Sequence, residues 1–301
     1  MDSMQPQLPR RAMLAASLSV VAAPAVARVQ EASERNFLAP SGYGVEFRHT
    51  VPELIGDLLR TERGDPKMEA VVPHHEWYSE HARRSFGSWG PSPRRYPPPA
   101  IAEGKSVEWR RERVIAAALR FVGYAYQHHH IPDWDPPADW PWKSTCAGRN
   151  GKGFDCSNFT SFVYNQAFGV HMNSDVERQS ELREAELNDE RRAVRMERIT
   201  LPEDHEARLE TLRTGDLLYI LGKPGGKVTH VVLWIGSIGR SGSGLPLILD
   251  SHGSGVEDDQ GRPIPCGVQL RPFRPRSWYD RCASHAHRIF EDREERVGVR
   301  R

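Results

Sequence analysis

Cys156 lies in Gly153-Phe154-Asp155-Cys156-Ser157-Asn158-Phe159, where a polar loop enters an apolar run with helical periodicity. A cysteine in the first turn of a helix sits at the positive end of the dipole, which favours the thiolate, the nucleophilic form. Asp155 or Ser157 can cap the same end. A thiol used in this way needs a base. His230 stands in Val228-Thr229-His230-Val231-Val232-Leu233-Trp234-Ile235-Gly236. On a strand, His230, Val232 and Trp234 share one face while Val231, Leu233 and Ile235 share the other. An imidazole inside so apolar a strand must find a partner or bear a desolvation cost. The following run ends Leu249-Asp250-Ser251-His252-Gly253, and Asp250 and His252 project to one side. Either can bond the second ring nitrogen of His230 and set its tautomer, leaving the other nitrogen for the thiol. The chemistry such a pair could do is nucleophilic catalysis by a thiolate.

These residues need a helix for the sulfur and strands for the imidazole and its partner. Val114, Ile115, Ala118, Leu119 and Val122 repeat at helical spacing, and the charges of that segment fall mostly between them. A loop from Tyr124 to Gly153 follows, with the run His128-His129-His130 and the tryptophans Trp134, Trp140 and Trp142. Phe159, Phe162, Val163, Gln166 and Ala167 mark the helix behind Cys156, and Gly169 ends it. Residues 183–212 are half charged and read as a solvated helical excursion. After Thr214-Gly215-Asp216 the period shortens to that of strands: Leu217 to Ile220, Thr229 to Ile235, Leu247 to Leu249 and Gly267 to Leu270. Helices followed by a strand meander argue an α+β fold rather than a doubly wound parallel sheet.

The chain has 301 residues, of which 38% are hydrophobic and 27% charged, which suits one or two globular domains. Lysine and arginine number 41 against 40 acids, a net charge of +1 that argues against a nucleic-acid-binding surface. Residues 1–27 carry Arg10-Arg11, a short apolar stretch and Ala25-Val26-Ala27, the pattern of an export signal of twin-arginine type. Removal of that segment leaves a neutral chain beginning near Arg28, with no further apolar run long enough to span a bilayer. The expected location is outside the cytoplasm, periplasmic or secreted. Residues 28–104 are rich in Pro, Arg and aromatics and read as a lead-in or strap, with residues 105–301 as the catalytic domain. The four cysteines lack the paired spacing of a zinc finger. Cys266 and Cys282 can pair in an oxidising compartment, whereas a bridge from Cys146 to Cys156 would block the nucleophile.

Asp155-Cys156-Ser157 at a helix start, Thr214-Gly215-Asp216-Leu217 opening a strand, Thr229-His230-Val231, and a polar residue one strand later resemble the NlpC-type cell-wall cysteine peptidases. The resemblance covers about residues 107–290 and extends to Gly123-Tyr124-Ala125-Tyr126 and to Gln179. It implies a papain-like fold and cleavage of bacterial peptidoglycan stem peptides, typically between D-glutamate and a diamino acid. It makes Cys156 the nucleophile, His230 the base and His252 the orienting residue. Tyr126, Asp155 and Ser157 then line the site and hold the free amine of the stem peptide's first alanine. Asn158 stands where the family usually has glycine, and the insertions after Tyr126 and at 183–212 are further departures.

Three adjacent histidines cannot all reach one ion from a regular strand or helix, and no H-E-x-x-H run accompanies them, so no metal or cofactor is expected. The tryptophans of the 124–153 loop pack it onto the core or form a platform for glycan or peptide. The sequence leaves two other functions open: a papain-like amidase or acyltransferase on another substrate, and a catalytically silent wall-binding protein. It does not fix the oligomeric state.

Overall fold

The computed structural model describes residues 35–291, apart from 40, 61–66, 68–69, 135, 138, 140–151 and 189–192. The export segment 1–27, Trp140, Trp142 and Cys146 lie outside the described residues. In chain order the elements are β1 (Asn36–Leu38), β2 (Gly44–Glu46), α1 (Val51–Arg60), α2 (Glu80–Phe86), α3 (Val107–Leu119), β3 (Ala125–Tyr126) and β4 (Gly153–Phe154). Then come α4 (Cys156–Phe168), β5 (Val170–His171), α5 (Val176–Glu181), β6 (Glu184–Leu187), β7 (Ala193–Arg195), β8 (Glu197–Thr200) and α6 (His205–Thr211). The chain continues with β9 (Leu217–Leu221), β10 (Val228–Arg240), β11 (Pro246–His252), β12 (Gly267–Pro272), α7 (Trp278–Arg281) and β13 (Ala283–Arg288).

The long strand β10 organises the main sheet, because its alternating apolar residues are buried on both faces. The strand order is β1-β2-β10-β9-β13-β8, with β11 added to β10 and β12 to β11, all antiparallel. One face packs Val231, Leu233, Ile235 and Leu249 into a core with Val114, Ile115, Phe159 and Val163 of α3 and α4. The other face places Val232, Trp234 and Ile248 in a second core with Phe273 and Tyr279. This is the expected α+β arrangement, helices first and an antiparallel meander after them.

Helix α4 has clear ends. Asp155 caps it, accepting from Asn158 N at 2.8 Å, and Gly169 closes it in the left-handed region with φ 67°. A Cβ at Gly169 would lie 2.6 Å from the Tyr96 carbonyl oxygen. Tyr164 Oη donates to the Gly215 carbonyl at 2.6 Å and ties α4 to the turn that opens β9. Gln179, fully buried, clamps the first turns: its Nε2 donates to Ser161 Oγ and Asn173 O at 2.9 Å, and its Oε1 accepts from Thr160 and Tyr219 at 3.3 Å.

Two segments differ from expectation. The described residues of 183–212 hold three short strands and one short helix, α6, rather than a continuous helical excursion. Glu184-Ala185-Glu186-Leu187 alternates with Ala185 inward, so β6 joins β5 and β7 in a small sheet, and β8 pairs with β13 at the edge of the main one. Charge density there hid a period of two. The lead-in segment is also more than a strap. Arg113 on α3 is fully buried and forks onto Asp57 of α1 with two 2.7 Å bonds, while its Nε donates to Ala167 O of α4 at 2.9 Å. Glu112, also buried, accepts from the backbone of Arg48 and His49. Val72 and Trp77 share a third small core with Ile131 and Trp134, so the lead-in packs on the loop preceding Cys156.

Candidate active site

Cys156 is the first residue of α4 and is buried and free of any disulfide. The first turn leaves the N–H groups of Cys156 and Ser157 outside the helical ladder, whereas those of Asn158 and Phe159 bond to Asp155. His230 enters from β10 and brings its imidazole beside the Cys156 sulfur. Its Nε2 lies 2.7 Å from Asp250 Oδ2. An ionised carboxylate only accepts, so Nε2 carries the proton and Nδ1 is left for the sulfur.

Strand register decides which residue meets the imidazole. Leu233 pairs with Leu249 and Trp234 with Ile248, which puts His230 level with His252 and diagonal to Asp250. The diagonal carboxylate takes the bond, and the expected bond from His252 is not made. The His252 ring stands edge-on to His230 with centroids 5.0 Å apart, and its Nδ1 is 3.2 Å from the Gly253 carbonyl. Trp278 flanks both rings at 5.5–5.6 Å.

Asp250 is wholly buried and saturated with donors. Arg271 Nε donates to Oδ1 at 2.7 Å, and Tyr279 Oη donates to Oδ2 at 2.9 Å beside His230. Burial pushes the carboxyl upward, but the Arg271 guanidinium and the His230 bond prevail and hold it below the usual carboxylate range. Burial pulls the His230 imidazole the other way. The Cys156 sulfur and the Asp250 carboxylate outweigh that, and its pKa rises to about 10. Burial lowers that of His252, with His230 and Arg271 adding to it against the pull of Asp250. Thiol, imidazole and carboxylate thus form a line whose middle member is stabilised as a cation by both neighbours.

Of the residues expected to hold a substrate amine, Asp155 and Ser157 flank Cys156 but are already engaged. Asp155 accepts from the backbone and Nδ2 of Asn158 at 2.8 and 2.7 Å, and its Oδ2 lies 3.3 Å from His128 Nδ1. Ser157 Oγ donates to Ser174 O at 2.6 Å. Tyr126 sits on β3 with its ring edge-on to His128 at 5.0 Å, and Trp89 of the lead-in flanks the same histidine at 6.0 Å. The three histidines diverge. His128 bonds Asp155, His129 is buried beside Trp134, and His130 Nδ1 meets the Gly90 carbonyl at 2.7 Å. Trp134 is buried against Trp77 rather than offered as a platform. Cys266 and Cys282 are both free, the first exposed and the second buried, so the pairing an oxidising compartment allows is not formed.

Arg271 and Tyr279 escaped the sequence reading. A buried arginine within Val268-Gln269-Leu270-Arg271 reads as an outward charge, and only the opposite sign of Asp250 on the neighbouring strand hinted at the pair.

A protein-family model described as the NlpC/P60 family matches residues 143–260. Among solved structures, an NlpC/P60 family protein from Bacillus cereus ATCC 10987 is 21% identical with a TM-score of 0.35, over 65% of this chain and 42% of that one. The NlpC/p60 domain of the peptidoglycan hydrolase SagA is 20% identical with a TM-score of 0.32, over 58% of this chain and 96% of that one. The chain thus spans less than half the length of the Bacillus cereus protein. No curated protein matches it. Cys156, His230 and Asp250 all lie within the residues that the NlpC/P60 family model matches.

Proposed function

We propose that this protein is an exported cysteine hydrolase that cleaves an amide bond in peptidoglycan stem peptides through a thioester on Cys156. The observation that carries this reading is the His230 imidazole, held by Nε2 at 2.7 Å from a wholly buried carboxylate with the Cys156 sulfur beside the ring. The match to the NlpC/P60 family model supports the choice of cell-wall peptide, and residues 1–27 support export.

His230 Nδ1 takes the proton of Cys156, and the thiolate attacks the scissile carbonyl carbon. The oxyanion is held by the unpaired N–H groups of the first turn of α4, that of Cys156 foremost. The imidazolium then protonates the leaving nitrogen as the C–N bond breaks, leaving an acyl thioester. His230 next takes a proton from water, whose oxygen attacks the thioester. The C–S bond breaks, the acid departs and the thiol is restored. Asp250 is the orienting member of this triad, with His252 and Trp278 beside it as cleft wall.

One observation favours a second reading, the same chemistry on another amide or ester. Asp155, the carboxylate assigned to a substrate ammonium, is already bonded to Asn158 and His128. Mass spectrometry of fragments released from purified peptidoglycan separates the two, with Cys156→Ala as control. New stem-peptide termini released by the native protein and not by Cys156→Ala support the first reading. No release, together with Cys156-dependent turnover of other acyl compounds, replaces it with the second.

A further inference from the structure

The Asp250 carboxylate is shared between the site and a charge that no catalytic step uses. Arg271 lies on β12, two residues from Gln269, the register partner of Asp250, and so is its diagonal neighbour on the same face. The side chain is fully buried. Its Nη2 donates to Pro265 O and Gly267 O at 3.1 and 3.0 Å, while its Nη1 is buried with no hydrogen-bond partner. A dry ion pair with one donor unmet is a weak source of stability. With the thiolate–imidazolium form of the site, however, it completes a run of four alternating charges: Cys156, His230, Asp250, Arg271.

We propose that Arg271, assisted by Tyr279, is a positioning residue of the active site: its guanidinium holds Oδ1 of an ionised Asp250 so that Oδ2 is presented to His230 Nε2–H, which keeps Nδ1 open toward the Cys156 sulfur. The proposal rests on the Cys–His reading given above. A carboxylate without water stays ionised only beside a cation. Loss of the guanidinium removes the largest effect opposing burial, so Asp250 takes up a proton at higher pH than in the native protein, and its O–H then donates to Nε2. A neutral imidazole then carries its proton on Nδ1, facing the sulfur, and cannot accept from the thiol. The titratable or charged groups that face Asp250 are His230 from β10, Arg271 from β12, Tyr279 from α7 and His252 on its own strand, with Cys156 of α4 beyond His230. Burial drives the Tyr279 hydroxyl well above its ordinary value, so it remains a donor to Oδ2.

The test is the pH dependence, from 4 to 10, of iodoacetamide alkylation at Cys156, read by peptide mass spectrometry in the full-length protein. In Arg271→Met the acidic limb moves toward neutrality, with at least a tenfold loss at pH 6 that shrinks toward pH 9. Arg271→Lys restores most of the rate. In an Asp250→Asn background, Arg271→Met changes the rate less than twofold. Tyr279→Phe moves the limb the same way by a smaller step and carries the test if Arg271→Met does not fold. A pH-independent loss of equal size in both backgrounds, or an unmoved limb in Tyr279→Phe where Arg271→Met does not fold, overturns the proposal alone. Alkylation of Cys156 that is unchanged in His230→Ala overturns the underlying Cys–His reading and the proposal with it.

Discussion

Replacing Asp250 by asparagine keeps the side-chain volume and removes the charge that His230 leans on. The rise of the His230 pKa from 6.5 to about 10 corresponds to roughly 5 kcal/mol of preference for the imidazolium. Burial acts against that preference, so Cys156 and Asp250 together supply at least this much. Assigning about half to Asp250 gives a loss of roughly 2–3 kcal/mol in Asp250→Asn, which moves the His230 titration down by nearly two pH units to about 8. Hydrolysis needs the imidazolium to protonate the leaving nitrogen, so the alkaline limb of kcat/KM follows it, falling near pH 10 in the native protein and near 8 in the variant. Imidazole-resolved NMR gives the titration and a pH–rate series gives the limb. The substitution also strands the Arg271 guanidinium without its counter-charge, which costs about 3 kcal/mol of stability and lowers Tm by roughly 6–12 °C. A His230 titration that stays near 10, with activity within twofold of native, refutes the reasoning.

Three further outcomes follow from the packing. Gln179→Leu leaves Thr160, Tyr219 and the Ser157 and Asn173 carbonyls short of a partner, and urea unfolding should register about 2–4 kcal/mol of destabilisation. A change below about 0.5 kcal/mol contradicts the clamp. Gly169→Ala forces a left-handed φ on alanine and sets its Cβ against the Tyr96 carbonyl, so Tm should fall by at least ~4 °C, and an unchanged Tm counts against the cap. With pH, the His230 contribution to stability is complete below 6.5 and is lost as the pH rises through about 10. That of Asp250 is present above 3.8 and is lost in acid. A Tm profile measured from pH 3 to 10 should flatten on its alkaline side in His230→Ala, and an identical slope in both proteins contradicts the assignment.

The placement of Cys156 at a helix start and of His230 on a strand was legible in the sequence because each sits in a segment with an unambiguous period. Asp155 as cap, Phe159 and Val163 at helical spacing and Gly169 as terminator define α4 at both ends. Val231, Leu233 and Ile235 define β10 as a strand with His230 on its other face. The partner of His230 was not legible, because a period of two places Asp250 and His252 on one face and only the inter-strand register tells level from diagonal. Buried charges were not legible for a related reason. Glu112, Arg113 and Arg271 look solvated in a hydropathy pattern, and their burial depends on partners far away in the chain: Arg48 and His49, Asp57, and Asp250. The charged stretch 183–212 failed in the same way, since high charge masked the inward Ala185 of β6 and the pairing of β8 with β13.

The most direct test of the central claim is to quench the native protein in acid during turnover of purified peptidoglycan and map the Cys156 peptide by mass spectrometry. A peptidyl mass on Cys156, released by hydroxylamine and absent when Cys156→Ala is treated alike, is the predicted result. Undiminished release of stem-peptide fragments by Cys156→Ala would contradict it.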